Sequence, residues 1–174
     1  SFPVIGKRVI CFDARPFRRE NGENWILLAM EDITNRKLLE NRSLLSTIVD
    51  NSDDAIMSKK LDGTILSWNK SAEKIFGYTK DEIVGKNILL IIPPELHHEE
   101  VMIISKIKKG EDVPHFNTVR LAKSGKRINV SVTISPIKDE EGNVIGASKI
   151  SRDITEEINA RKNIDESGLH LNNL

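Results

Sequence analysis

Ala147-Ser-Lys-Ile-Ser-Arg-Asp153-Ile154-Thr155 repeats, at an offset of 121 residues (Asp32 to Asp153), the earlier stretch Trp25-Ile-Leu-Leu-Ala-Met-Glu-Asp32-Ile33-Thr34. In both, a strand pattern runs into Asp-Ile-Thr. A second strand precedes each copy, over Arg8 to Ala14 and over Ile128 to Ser135. Each is followed by a proline, Pro16 or Pro136, and by a charged turn containing glycine, Glu20-Asn-Gly22-Glu or Asp139-Glu-Glu-Gly142-Asn. The repeated unit is a β-hairpin that feeds a helix. The first copy has room only for a closing hairpin, since 34 residues cannot hold a unit with a period of 121. The expectation is a chain that begins inside one domain, over 1–34, and then carries a complete second one.

Outward from the hairpins, Asn35 to Val49 turns helical: Leu38, Leu45 and Ile48/Val49 recur at helical steps with Arg36, Lys37, Glu40 and Arg42 between them. A connecting helix is expected over 35–50. Asp53 to Lys59 and Thr64 to Trp68 read as strands around the turn Leu61-Asp62-Gly63. Ala72, Ile75 and Phe76 share a face of a short helix stopped at Gly77, and Thr79-Lys-Asp-Glu82 is a capping box. Pro93-Pro94 opens a longer helix from about Glu95, carrying Leu96, Val101, Ile104 and Ile107 and ending on Lys106, Lys108, Lys109 and Gly110. Three strands follow, His115 to Leu121, Lys126 to Ser135 and Val144 to Arg152, and then an exit segment, 157–174, helical until Ser167-Gly168. The sum is an α+β domain: a five-stranded antiparallel sheet with short helices gathered on one face, flanked by amphipathic helices.

The 174 residues carry 26 Lys+Arg against 26 Asp+Glu, a formal net charge of zero, so no overall field draws the chain to nucleic acid or an anionic membrane. With 39% hydrophobic and 30% charged residues it can build a core and be soluble. Cys11 has no partner thiol for a disulfide or a metal site, which fits a reducing compartment. The longest apolar runs, such as Ile88 to Ile92, are far short of a membrane span. The opening Ser-Phe-Pro has no leader pattern and reads as a piece of something longer.

Six ordered motifs carry a family resemblance: Ile48-Val-Asp-Asn-Ser-Asp-Asp-Ala-Ile56, Asp62-Gly-Thr-Ile-Leu-Ser-Trp-Asn69, Ala72-Glu-Lys-Ile-Phe-Gly-Tyr78, Glu82-Ile-Val-Gly85, Ile91-Ile-Pro-Pro94 and Ser151-Arg-Asp-Ile-Thr155. Through them, residues 44–156 resemble a PAS domain of the sensory-box type with its C-terminal PAC motif, and 1–34 resembles the end of a preceding one. The resemblance implies a cytoplasmic sensing or dimerisation module within a multidomain signalling protein, most often a sensor histidine kinase of a two-component system. Its partners would be a small ligand, a second copy of the chain and the adjacent domains. The competing class is a ligand-free interaction and dimerisation spacer.

In this family a ligand sits between the sheet and the long helix, so the pocket candidates are Ile56, Trp68, Phe76, Ile91, Val101, Ile104, Phe116, Val130, Val132, Ile134, Ala147 and Lys149. Alternation places Val130, Val132 and Ile134 on one face, and Ala147, Lys149 and Ser151 on one face of the last strand. The first repeat has Ile26, Leu28 and Met30 at those last three positions, so the second copy exchanges apolar for small, cationic and polar. Lys149 is open to two readings: it binds an acidic ligand, or, more simply, it snorkels to water or yields the inward place to Ile150. Ser151, Asp153, Ile154 and Thr155 form the signal relay, because Asp153 or Thr155 can cap the following helix and tie it to the strand. Leu38, Leu45 and Val49 are the stripe of a two-stranded parallel dimer seam, or of a helix packed on its own sheet.

The cofactor is left unknown. Haem-binding relatives carry an iron-ligating His on the long helix; counting from Pro93-Pro94 puts Glu100 there, with His97 and His98 earlier, so haem is not implied. His97, His98, Glu99 and Glu100 read as a solvated helix end and not as a metal site. Covalent flavin chemistry needs a cysteine in the domain, and Cys11 lies outside it; flavin stacked near Trp68 stands against plain packing of that ring. No catalytic constellation is found: Ser124-Gly-Lys126 is a hairpin turn, and the segment is read as not an enzyme.

Overall fold

The structure, a computed structural model, describes residues 8–20 and 22–171, without the side chains of residues 163 and 165–171. The chain divides after Ile48 into two units. In the first, β1 (Ile10–Arg18) and β2 (Asn24–Asp32) pair antiparallel, Ile10 opposite Asp32 and Arg18 opposite Asn24, and α1 (Thr34–Asp50) follows. Of the turn expected from Glu20 to Glu23, Asn21 lies outside the described residues. The Asp-Ile-Thr joint is locked by its own hydrogen bonds. Asp32 Oδ1 accepts from the Thr34 amide (3.0 Å) and hydroxyl (2.6 Å), while Ile33 N–H donates to the Val9 carbonyl and Val9 N–H to Thr34 Oγ1. Phe12, Ile26, Leu28 and Met30 of the hairpin and Leu38 and Leu45 of α1 are exposed.

The second unit is the complete domain. Its strands are β3 (Ala55–Lys60), β4 (Ile65–Trp68), β5 (Val113–Leu121), β6 (Arg127–Lys138) and β7 (Val144–Asp153), in the sheet order β4-β3-β7-β6-β5, with antiparallel pairing throughout. Between β4 and β5 lie α2 (Lys70–Phe76), α3 (Lys80–Ile83), 3-10 turns at Ile88–Ile91 and Pro94–Leu96, and α4 (His97–Lys108); α5 (Thr155–Leu171) leaves from β7. The last strand of the domain therefore occupies the middle of the sheet, touching β3 on one side and β6 on the other.

Local chemistry accounts for most element ends. Asp62 Oδ1 accepts from Thr64 N–H at 2.8 Å and Gly63 takes a φ of 88°, which closes the β3–β4 turn. Asn69 caps α2 by accepting from Ala72 N–H (2.9 Å), accepts from Ile56 N–H (2.9 Å), and donates to the carbonyls of Val49 and Asp54. The Thr79–Glu82 capping box is present as the sequence predicts. Several boundaries differ from expectation: β1 and β6 run on through Pro16 and Pro136 to Arg18 and Lys138, and β3 starts at Ala55 and not at Asp53. β5 starts at Val113 and contains Pro114, which an edge strand tolerates where a bulge already breaks the ladder between Val113 and Phe116. The turn after Pro93 is 3-10, so α4 begins at His97 and not at Glu95. α5 continues through Ser167-Gly168 to Leu171.

The core gathers Met57, Ile65, Trp68, Phe76, Val130 and Val132, with a second cluster where Ile103 and Ile107 of α4 meet Ile134 and Ala147. Among the described residues no helix is long and apolar enough to cross a membrane.

Candidate functional site

The sheet face under α4 is built by two-residue alternation: Ala55, Met57 and Lys59 from β3, Ala147, Lys149 and Ser151 from β7, and Val130, Val132 and Ile134 from β6 are all buried. Trp68, Phe76 and Ile91 are buried as well, and Phe116 is half-buried against them. Trp68 is a packing residue: its ring lies 5.4 Å from that of Phe76, centroid to centroid, and its Nε1–H donates to the Tyr78 carbonyl at 3.1 Å.

Three pocket candidates fall elsewhere. Ile56 is half-buried on the opposite face of β3, because strand alternation gives the inward places to Ala55, Met57 and Lys59. Val101 is 72% exposed and Ile104 half-buried. The inward stripe of α4 is Glu100, Ile103 and Ile107, a three-then-four spacing that leaves Val101 and Ile104 rotated toward the rim. There they line a groove of about 510 Å³ together with Leu61, His97 and Glu100.

Lys149 does not snorkel, nor does Ile150 replace it. Lys149 is 2% exposed, while Ile150 is 44% exposed on the outer face. Around Lys149 the structure collects charges, among them Glu99 and Glu100, which the sequence suggested as part of a solvated helix end. Lys59 of β3 pairs with Glu100 of α4. Arg120 of β5, fully buried, donates to Glu99 Oε2 at 2.9 Å, to Thr118 Oγ1 at 2.9 Å and to the Val119 carbonyl at 2.7 Å; the Thr118 hydroxyl donates back to Glu99. Glu99 and Glu100 are thus turned into the sheet and are not a solvated helix end. His97 and His98 instead approach the carbonyls of Ile92 and Glu95.

The electrostatics follow from burial. Burial pushes the Lys149 ammonium well below the ordinary lysine range, and the charges of Arg120 and Lys59 push it the same way, against the pull of Glu100 and Glu99. Burial also lowers Lys59, with Glu100 restoring part, and lowers Arg120 against the support of Glu99. The Lys149 ammonium has no hydrogen-bond or ion-pair partner among the described residues, and Arg120 Nε and Ser151 Oγ are buried without one.

At the exit from the sheet, Asp153 Oδ1 accepts from Thr155 N–H at 2.9 Å, Ile154 N–H donates to the Asn129 carbonyl at 2.9 Å, and Asn129 N–H donates to Thr155 Oγ1 at 3.1 Å. This is the bonding scheme of Asp32, Ile33, Thr34 and Val9, repeated. The four relay candidates therefore lie in sequence from the inner face (Ser151, buried) to the first turn of α5 (Thr155). Of the seam candidates, Leu38 and Leu45 are exposed, and Val49 is half-buried with its carbonyl held by Asn69.

Comparison with known proteins places this geometry. A family profile described as "PAS domain" matches residues 53–156. The signal transduction histidine-protein kinase AtoS of Escherichia coli is 27% identical over 118 residues, 68% of this chain and 19% of that protein. A blue-light-activated histidine kinase of Brucella anthropi is 29% identical over 97 residues, 56% of this chain and 20% of that protein. The chain thus spans about a fifth of the length of these relatives. Among solved structures, a PAS domain from Colwellia psychrerythraea superposes with a TM-score of 0.60 at 28% identity, covering 68% of this chain and 98% of that one. The PAS domain of an HTR-like protein from Haloarcula marismortui gives 0.59 at 26%, covering 69% and 97%.

Proposed function

The chain belongs to the PAS domain family, and from that premise we propose that it is a sensory relay: a ligand or a subunit contact acts on the inner face of the sheet, and the change leaves through β7 and the Asp153–Thr155 joint into α5. The family is a sensory one, and the relatives are named as sensor histidine kinases. The parent protein is in this reading a cytoplasmic histidine kinase whose catalytic domain is separate from this segment, which has no activity of its own. In this reading residues 1–34, of which 1–7 and 21 lie outside the described residues, belong to the closing hairpin of another PAS domain, 35–50 are the connecting helix, 44–156 the sensing domain and 157–174, of which 172–174 lie outside the described residues, the exit linker.

One observation carries the reading. β7 presents Lys149 and Ser151 to the interior and also bonds, two residues later, to the start of α5. A strand gripped on both sides by ladders transmits a displacement to its end, because stretching the ladders costs more than tilting the helix beyond them. Dimerisation through Leu38, Leu45 and Val49 would bring two copies of the chain together. A second reading, a ligand-free dimerisation spacer, draws support from the filling of the inner face by Lys59, Arg120 and Lys149. Native mass spectrometry of the purified chain separates the two: a retained small molecule supports sensing, a bare dimer supports the spacer, and a bare monomer contradicts both.

A further inference from the structure

We propose that the inner face of the sheet is a receptor for a small organic carboxylate, held by Lys149 with Arg120 and Ser151, and that Glu99 and Glu100 are internal carboxylates which the ligand displaces. The inference rests on the sensory reading above and gives it a ligand class.

The charge inventory is the first argument. Lys59, Arg120 and Lys149 converge from three strands, while α4 supplies Glu99 and Glu100. Two cations are matched by two carboxylates and the third, Lys149, is not. An unmatched charge in an interior is costly, so the site either keeps Lys149 neutral or takes up an anion. Unspent donors are the second argument. Ser151 Oγ and Arg120 Nε are both buried without partners, on side chains with no exposed surface. Buried donors left unpaired in a folded protein point to a group that completes them.

The identity of the anion follows from what the cations already hold. Arg120 and Lys59 are each paired with a carboxylate, and the Arg120 fork, whose Nε is still unpaired, suits that planar group. Two grooves flank α4, one of about 510 Å³ with Glu100 in its lining and a smaller apolar one of about 190 Å³ lined by Glu99 with Met102, Ile103, Val113 and Phe116, so each carboxylate stands between a groove and the buried cations. The two side chains keep 11% and 17% of their surface in solvent, so each can swing outward through its groove as a ligand enters. Their release unties α4 from β3 and β5, while the ligand draws on Lys149 and Ser151 of β7, two residues from the exit joint.

Isothermal titration of the whole chain near neutral pH, with acetate, propionate, malonate, succinate and inorganic phosphate, tests this. Glu100→Gln, which removes the competing charge, is expected to bind at least one of the four carboxylates about tenfold more tightly than wild type, the worth of one charge-assisted hydrogen bond. Lys149→Met is expected to bind none. A thermal melt verifies that Lys149→Met is folded; should it not fold, Ser151→Ala takes its place, with an expected weakening of about threefold or more. No carboxylate binding by wild type or Glu100→Gln overturns the proposal, as does undiminished affinity in the Lys149 or Ser151 variant, or binding of phosphate alone. If these fail while the backbone of α5 still responds to Lys149→Met, the ligand class falls and the relay stands.

Discussion

Lys59 and Glu100 form an ion pair across the interior between β3 and α4, with Lys59 1% and Glu100 9% exposed. Removing one partner of such a pair leaves the other desolvated and uncompensated, whereas removing both restores an apolar contact. Glu100→Ala is expected to cost about 3–5 kcal/mol in urea unfolding, and Lys59→Met with Glu100→Leu to recover most of it. A double variant no better than the single one would mean that the loss comes from the pair itself and not from a stranded charge.

Lys149 makes the opposite prediction. Its ammonium is held well below the ordinary lysine range by burial and by Arg120 and Lys59, with Glu99 and Glu100 of α4 opposing, so folding releases a proton that the unfolded chain would keep. Stability therefore rises with pH from the depressed value up to the ordinary lysine range, since there the unfolded state binds more protons. Lys149→Met is expected to raise stability by about 1–3 kcal/mol near neutral pH and to flatten that rise. Thermal melts at a series of pH values check both; a destabilised Met variant with unchanged slope would refute the assignment.

Asn69 is expected to be the most costly polar residue to lose outside the charge cluster. Its side chain caps α2 and ties Ile56, Val49 and Asp54 together while only 2% exposed. Asn69→Ala should lower stability by about 2–4 kcal/mol, one cap plus buried groups left unpaired, as read by chemical denaturation.

Leu38 and Leu45 stand exposed on α1, seven residues apart. If they form a dimer seam, the wild-type chain sediments as a dimer and Leu45→Glu as a monomer at the same concentration. A dimer untouched by Leu45→Glu places the contact elsewhere.

The period-two alternation of Val130, Val132 and Ile134 made the inner face of β6 legible, whereas on β7 the simpler reading sent Lys149 to water or gave its place to Ile150, and burial reverses it. The capping box and the turn at Asp62-Gly63 were legible because their signals are local. The charge cluster was not. Lys59 alternates with Ala55 and Met57, and Arg120 with Thr118, but a cation on a strand is by default read as solvated, and only the facing helix reveals otherwise. Glu100 lies three and seven residues before Ile103 and Ile107, a spacing that marks it as inward; its place in the first turn, where the helix dipole favours carboxylates, hid this. Val101 and Ile104 were expected on the inward face because apolar character outweighed phase; the structure puts them at the rim, lining the groove.

The joint itself is where the relay is most directly tested. Hydrogen–deuterium exchange at the first turn of α5, Glu156 to Ile158, is measured in the wild-type chain, in Lys149→Met, and in each of these two combined with Asp153→Ala and Thr155→Ala. The account predicts that Lys149→Met alone changes exchange there and that adding the joint substitutions to wild type and to Lys149→Met leaves the two indistinguishable, because Asp153 and Thr155 carry the hydrogen bonds that couple β7 and β6 to the helix. Exchange in α5 that ignores Lys149→Met, or that follows it equally with the joint removed, would contradict it.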